Sequence, residues 1–187
     1  MGLKNTQTEE NLRKALAGES IARNKYTYFA AAARANGNEE IALAFEEMAL
    51  NEMTHARFWF EQLYGKPTKT VDCLMKAAYG EYDEWHDMYP AFAKQAREDG
   101  LEEVAIQFER VAEIERAHEN RFMTLLAQLK GANPAVSIPS APTAEPKPRK
   151  QKVGYRCQFC GHIEDHRQDV CRVCGAIGAF EIVEYYE

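Results

Sequence analysis

Val104, Phe108, Val111, Glu115, His118, Phe122 and Leu125 recur at spacings that alternate between four and three within residues 101–129. That spacing puts them on one stripe of a single helix, the face that turns inward in a helical bundle. Five of the seven are apolar, but the middle two are a glutamate and a histidine on adjacent turns. An unpaired carboxylate on such a face costs on the order of several kcal/mol, so the stripe needs a cationic partner there. One Glu-x-x-His pair reads either as a buried hydrogen bond or as two metal ligands. The rest of the chain weighs on that choice.

Laying residues 26–55 over residues 89–118, an offset of 63, reveals an internal repeat. Tyr26 falls on Tyr89, Phe29 on Phe92, Ala33-Arg34 on Ala96-Arg97, Gly37 on Gly100, Glu39-Glu40 on Glu102-Glu103 and Phe45 on Phe108. Glu52 and His55 fall on Glu115 and His118, inside a second stripe of Ile41, Phe45, Met48, Glu52, His55 and Trp59. The chain has five histidines, and two of them at equivalent points of a repeat favour a metal over a satisfied core pair. Two further helical faces carry carboxylates at core positions: Leu12, Leu16, Glu19, Ala22, Tyr26 and Ala33 on one, and Ala77, Glu81, Glu84, Met88 and Phe92 on the other. A glycine precedes each first carboxylate, Gly18 and Gly80, although mid-helix glycine costs roughly 1 kcal/mol against alanine. The expectation is that each makes room beside a ligand.

Gly37, Gly65, Gly100 and Gly131 each follow a long helical pattern, as left-handed caps do. They delimit four helices at about 8–36, 38–64, 70–99 and 101–130, with Asn38 and Thr70 as N-caps and a kink at Pro90. The expected domains are a helical bundle at 1–132, a Pro-rich linker at 133–151 and a small metal-binding module at 152–187. In that module Cys157, Cys160, Cys171 and Cys174 form two Cys-x-x-Cys-Gly knuckles, a four-sulfur site for zinc or iron, because so short a segment cannot bury a sufficient core alone. Tyr155, Phe159 and Phe180 are expected as its miniature core, His162 and His166 as surface residues, Cys73 as an idle thiol and His86 as an exposed helical residue. A net charge of −6 and a pI near 5.5 argue against nucleic acid as a partner. The absence of a membrane-length apolar run and of a signal-like N-terminus leads to the expectation of a cytoplasmic protein.

Paired Glu-x-x-His motifs with one glutamate from each of two other helices are the ligand set of a carboxylate-bridged di-iron site in a ferritin-like bundle. Over nearly its whole length the chain closely resembles rubrerythrin. The likeness rests on Ala17-Gly18-Glu19-Ser20, the Gly-Glu-x-x-Glu segment at 80–84 followed by Met88-Tyr89-Pro90, both Glu-x-x-His pairs and the two cysteine knuckles. The resemblance implies an all-α four-helix, ferritin-like bundle plus a small rubredoxin-like, β-rich C-terminal domain. It implies two irons held by Glu19, Glu52, His55, Glu81, Glu115 and His118, with Glu52 and Glu115 bridging. Glu84 is the extra carboxylate that can exchange with a histidine and relay a proton, and Tyr26 and Tyr89 act as hydrogen-bonding tyrosines. A third iron would sit on Cys157, Cys160, Cys171 and Cys174. Five carboxylates against two ferrous ions leave about −1, and against two ferric ions about +1, so neither state strands a large charge.

The implied activity is reduction of hydrogen peroxide to two waters, with electrons passing from a partner reductase, NADH-linked, or a rubredoxin through the tail, in a homodimer. Arg172 departs from the family pattern, standing where proline is common, and the ten residues between the knuckles are a short spacing. In a ferritin-like site the second and third helices run parallel, so their link must cross the bundle. Helices of about 28 residues are about 42 Å long, whereas residues 65–69 reach about 18 Å. Helix pairs exchanged between subunits are therefore expected, unless residues 70–78 unwind. The rival readings are a ferroxidase or iron-storage protein and a zinc-ribbon interaction module on a helical dimerisation domain.

Overall fold

The computed structural model describes residues 2–132 and 151–186; the expected linker, apart from residue 151, lies outside the described residues. Helix α1, Gln7–Ala35, starts at Thr6, which the sequence reading passed over. The Thr6 hydroxyl accepts from the Glu9 N–H at 3.1 Å while the Glu9 carboxylate accepts from the Asn5 N–H at 2.7 Å, a reciprocal cap. Gly37 turns the chain at φ 76° into α2, Glu39–Tyr64, which ends at Gly65 with φ 77°. Arg34 spans the turn, bonding Glu39 and Glu46. The second hairpin repeats the device: Gly100 turns at φ 77° into α5, Glu102–Ala132, and Arg97 bonds Glu102 and Glu109. The described residues fall into two compact units divided after Thr68, the first holding the first hairpin and the second holding the second hairpin and the tail.

The strip buried within each hairpin is made of small residues. Ala30, Ala42 and Ala49 are buried in the first, and Ala78, Ala93, Ala96, Ala105, Ile114 and Leu126 in the second. The predicted stripes lie beside these strips: Ile41 and Met48 remain 52% and 41% exposed, Val104 and Leu125 43% and 40%. Two helices bury only their line of contact, and alanine lets that line be close; a wide apolar stripe keeps open flanks in a mere pair.

The third predicted helix is corrected. It consists of α3, Thr70–Asp83, a π-turn, Glu84–Met88, and α4, Tyr89–Glu98. Glu19 and Glu81 are 62 residues apart, yet Tyr26 and Tyr89 are 63 apart, so the second copy carries one extra residue between these points. A π-turn absorbs one residue without rotating the flanking helices off their common face. It also suits Pro90, which has no N–H to give, since the Tyr89 N–H already reaches back five residues to the Glu84 carbonyl.

Other corrections are local. Lys69, not Thr70, is the N-cap of α3, and α3 is helical from Thr70, so residues 70–78 add no extended reach. Asn38 does cap α2, but its side chain bonds the Asn36 carbonyl at 3.4 Å and makes no capping bond. Gly131 lies inside α5. A Cβ on Gly18 or Gly80 would meet nothing within 4 Å, so crowding by the chain's own atoms does not require glycine at either place.

The tail is a three-stranded antiparallel sheet of β1, Gln151–Cys157, β2, Ile163–Glu164, and β3, Phe180–Tyr186, in the order β2-β1-β3. Residue 151, expected in the linker, is the first of β1. Phe159 does not join a core: it sits at the tip of the first knuckle, 77% exposed, because the flanking sulfurs turn inward. His162, expected at the surface, is 4% exposed. Its ring meets Glu164, also buried, at 2.8 Å; Arg172 donates Nε–H to His162 Nε2 at 3.0 Å and forms an ion pair with the same carboxylate at 2.7 Å. The arginine that replaces a common proline thus neutralises a buried carboxylate.

Gly154 holds β1 against β2, since a Cβ there would lie 2.8 Å from the Glu164 carbonyl oxygen, a backbone atom that cannot move aside. Gly154→Ala is expected to unfold the tail selectively. Its four cysteines should become reactive to a thiol reagent while the helical circular-dichroism signal stays unchanged.

Candidate metal centres

Helical spacing brings the predicted ligands together in two matching triads. Glu19 of α1 meets Glu52 and His55 of α2, and Glu81 of α3 meets Glu115 and His118 of α5; within each triad one ligand atom per residue lies within 4.8 Å of the others. In the first, His55 Nδ1 is 2.9 Å from Glu52 Oε2 and 3.9 Å from Glu19 Oε2. In the second, His118 Nδ1 is 2.6 Å from Glu115 Oε2 and 3.8 Å from Glu81 Oε2. Each triad offers two carboxylates and one imidazole, a donor set that suits iron.

The second triad is electrostatically strained without a cation. Burial, a hydrogen bond with Glu115 and the charges of Glu115 and Glu84 push the Glu81 carboxyl up to about 7. Burial and the Glu115 charge also raise Glu84, which opens the π-turn beside the triad. Burial raises the Tyr89 phenol, as do the charges of Glu84, Glu115 and Glu81. Tyr89 therefore stands in the field of the carboxylates, with its ring 6.0 Å from that of Phe108. Tyr26 is placed equivalently, 6.1 Å from Phe45. Trp85, Arg116 and Glu119 were missed by sequence reasoning. Trp85 donates Nε1–H to Glu119 at 2.8 Å, and Arg116 covers the Trp85 ring at 5.5 Å. The signal that could have found them is their departure from the repeat.

All four knuckle cysteines converge, with Sγ–Sγ separations of 3.7 Å for Cys157–Cys174 and for Cys160–Cys171. A tetrahedron with metal–sulfur bonds of about 2.3 Å has edges of about 3.8 Å, so the sulfurs fit one tetrahedral ion. The backbone shapes each knuckle alike: Gly161 N–H bonds the Cys157 carbonyl and Gly175 N–H the Cys171 carbonyl, both at 2.9 Å, with φ 80° and 73°. Burial drives the Cys160 and Cys174 thiols upward, so a cation is needed to hold four thiolates together. Cys73 is exposed and stands outside the cluster.

The first knuckle lies against α5. A Cβ on Gly161 would be 2.6 Å from His118 Nε2 and 3.3 Å from Ile114 Cγ2, so only glycine fits. His118 thus turns Nδ1 to the carboxylates and Nε2 to the knuckle. A cavity of about 460 Å³ opens beside this contact, lined by His118, Arg121, Arg156, Phe159 and Gly161 among others.

The sequence pattern of the rubrerythrin family matches residues 10–72 and 72–156. The rubrerythrin of Porphyromonas gingivalis is 34% identical over 186 residues, covering 92% of this chain and 87% of that protein. That of Clostridium perfringens is 42% identical over 144 residues, covering 68% and 74%. That of Nitratidesulfovibrio vulgaris is 33% identical over 186 residues, covering 92% and 91%. The Glu/His triads suit the di-iron site of the family, and the four cysteines suit a rubredoxin-type iron. Matched by the family pattern over residues 10–72 and 72–156 and at least 33% identical to these relatives over most of its length, the chain belongs to the rubrerythrin family.

Proposed function

We propose that this oxidoreductase reduces hydrogen peroxide to water with electrons relayed through its rubredoxin-like iron, supplied by an NADH-linked reductase or a rubredoxin in the cytoplasm. The observation that carries the reading is His118, whose two ring nitrogens face the carboxylates on one side and the Cys160–Gly161 knuckle on the other. A storage protein has no use for that contact. Glu19, Glu52, His55, Glu81, Glu115 and His118 would hold two irons, which in the ferrous state would supply the two electrons that, with two protons, turn one peroxide into two waters. Glu84, whose carboxyl is raised by burial and by the Glu115 charge, is the group suited to deliver a proton to a leaving oxygen. Tyr89 and Tyr26 orient the carboxylates by hydrogen bonding.

Each triad is half of a di-iron ligand set. The halves used in one site are proposed to come from different chains of a homodimer, Glu19, Glu52 and His55 from one and Glu81, Glu84, Glu115 and His118 from the other. Two features support this: only residues 65–69 separate α2 from α3, and each hairpin exposes large apolar side chains, Phe29 and Phe58 on the first, Phe92 and Leu101 on the second.

Mixing two inactive variants tests the exchange. A chain with Glu52→Ala and His55→Ala, refolded together with a chain carrying Glu115→Ala and His118→Ala, is expected to regain di-iron absorbance through one intact site in each mixed dimer. No recovery would show that each chain builds its own site.

Metal uptake should depend on pH through Glu81. Its carboxyl binds a proton up to about 7 in the metal-free fold, against 4.5 ordinarily, so binding must expel that proton and ferrous affinity should fall as pH drops below about 7. By the same linkage the metal-free fold is favoured at low pH, and that contribution fades as pH rises from 4.5 to about 7. Titrations of ferrous ion at pH 6 and 8, with melting curves of the chelated protein, check both signs.

Deleting residues 133–187 should abolish peroxide turnover driven by a reduced donor yet leave the di-iron absorbance. Undiminished turnover would favour a ferroxidase.

A further inference from the structure

The second hairpin carries an aromatic cluster that the repeat does not require. Tyr82, Trp85 and His86 are in mutual contact. Tyr82 stacks on His86 with ring centroids 4.8 Å apart and planes at 14°, and Trp85 meets Tyr82 edge-on at 5.3 Å and His86 at 5.4 Å. Tyr82 follows Glu81 in the chain and Trp85 follows Glu84, so the cluster starts next to one carboxylate of the second triad and next to the carboxylate that opens the π-turn. It ends at His86, whose side chain is 49% exposed. The Trp85 indole N–H has a carboxylate acceptor, Glu119, at 2.8 Å. In the first hairpin the corresponding residues are Ser20, Arg23 and Asn24, with Met53 and Ala56 in place of Arg116 and Glu119. That hairpin has the same arginine clamp, the same tyrosine–phenylalanine trio and the same ligand triad without any of them. Packing therefore does not account for the cluster.

We propose that Trp85 and Tyr82 form an escape route for oxidising equivalents, which draws them away from the metal ligands when peroxide arrives and the tail has no electron to give. The inference rests on the reading of the site as a peroxide reductase. In the first step, when one iron of the site is already ferric, Trp85 supplies the second of the two electrons that peroxide needs, the remaining ferrous ion supplying the first, and the Nε1 proton of Trp85 passes along the hydrogen bond to Glu119, leaving a neutral indole radical. In the second step Tyr82 gives an electron to that radical across the ring contact. The indole recovers its proton from Glu119, and the phenol proton goes to water. The tyrosyl radical, half-buried and stacked on exposed His86, is reduced by a small thiol from solution, which becomes a thiyl radical as the phenol is restored. Arg116 over the indole face disfavours a positive ring, so loss of the proton to Glu119 accompanies loss of the electron.

The test uses the full-length protein loaded with iron, either fully ferrous or poised at one ferrous ion per site, with no electron donor left, mixed with hydrogen peroxide and frozen within the first turnover; the radical is expected in the poised samples. Peroxide consumption is read in the same samples. Wild type is expected to show an organic radical by electron paramagnetic resonance. Trp85→Phe should lose the signal, and Tyr82→Phe should retain a longer-lived indole signal. Over repeated peroxide additions without donor, mass spectrometry should find oxidation at Trp85 in wild type. In Trp85→Phe it should find oxidation at His118 and Tyr89, with earlier loss of iron, whereas donor-driven turnover stays unchanged. Peroxide consumed by poised wild type with no radical, or an identical radical in Trp85→Phe, overturns the escape route and leaves the peroxidase reading standing. Wild type that consumes no peroxide overturns both.

Discussion

Carboxylates held close together on half-buried helix faces are the constraint from which the rest follows. Glu81, Glu84 and Glu115 share one side of the second hairpin, and their mutual repulsion, added to burial, holds a proton at Glu81 that an exposed glutamate would have lost. Such an arrangement survives in a fold only when a cation relieves it. The histidines alone do not suffice, since each can give Nδ1 to only one direction, and His118 has its other nitrogen turned toward the tail. A metal bound there would thus act as a structural counter-charge as well as in the proposed chemistry. The same holds in the tail, where four sulfurs 3.7 Å apart in pairs stand in place of an apolar core.

Much of this was legible in the sequence because metal ligation and helical periodicity both act through spacing. Glu52 with His55, Glu115 with His118 and the two cysteine knuckles each lie within one turn, so chain order alone dictates that they converge. Gly37, Gly65 and Gly100 were legible for a related reason, since a left-handed turn tolerates few other residues. What failed were readings that depend on what a side chain meets across space. The apolar stripes were taken for buried faces, yet alanines such as Ala42 and Ala105 occupy the line of closest approach. His162 was placed at the surface because four thiolates closed the metal site, but a buried Glu164 claims its ring. The one-residue step in the repeat was present in the sequence; a constant offset between residues 26 and 55 hid it because the step falls just upstream, between Glu19 and Tyr26.

That step explains how two nearly identical hairpins come to differ. Each has an arginine that ties its turn to two glutamates, a tyrosine against two phenylalanines, and a Glu, Glu, His triad. A site built from two such halves would be symmetric, and its two metal ions equivalent. The extra residue in the second half is taken up by the π-turn, which keeps Glu81 and Tyr89 on one face. Within that turn, Glu84 accepts from the Tyr89 N–H five residues on, at a point where the first hairpin has only Ala22 nearby. The inequality between the halves is therefore centred on that turn, with its extra carboxylate and neighbouring rings, and on Arg116 and Glu119 of α5 that meet them. The half that bears them is also the half against which the first cysteine knuckle rests, through Gly161 and His118. On the proposed reading, the proton donor, the electron inlet and the spare aromatic rings would then all converge on the less symmetric hairpin, so that electrons and protons reach the same end of the peroxide.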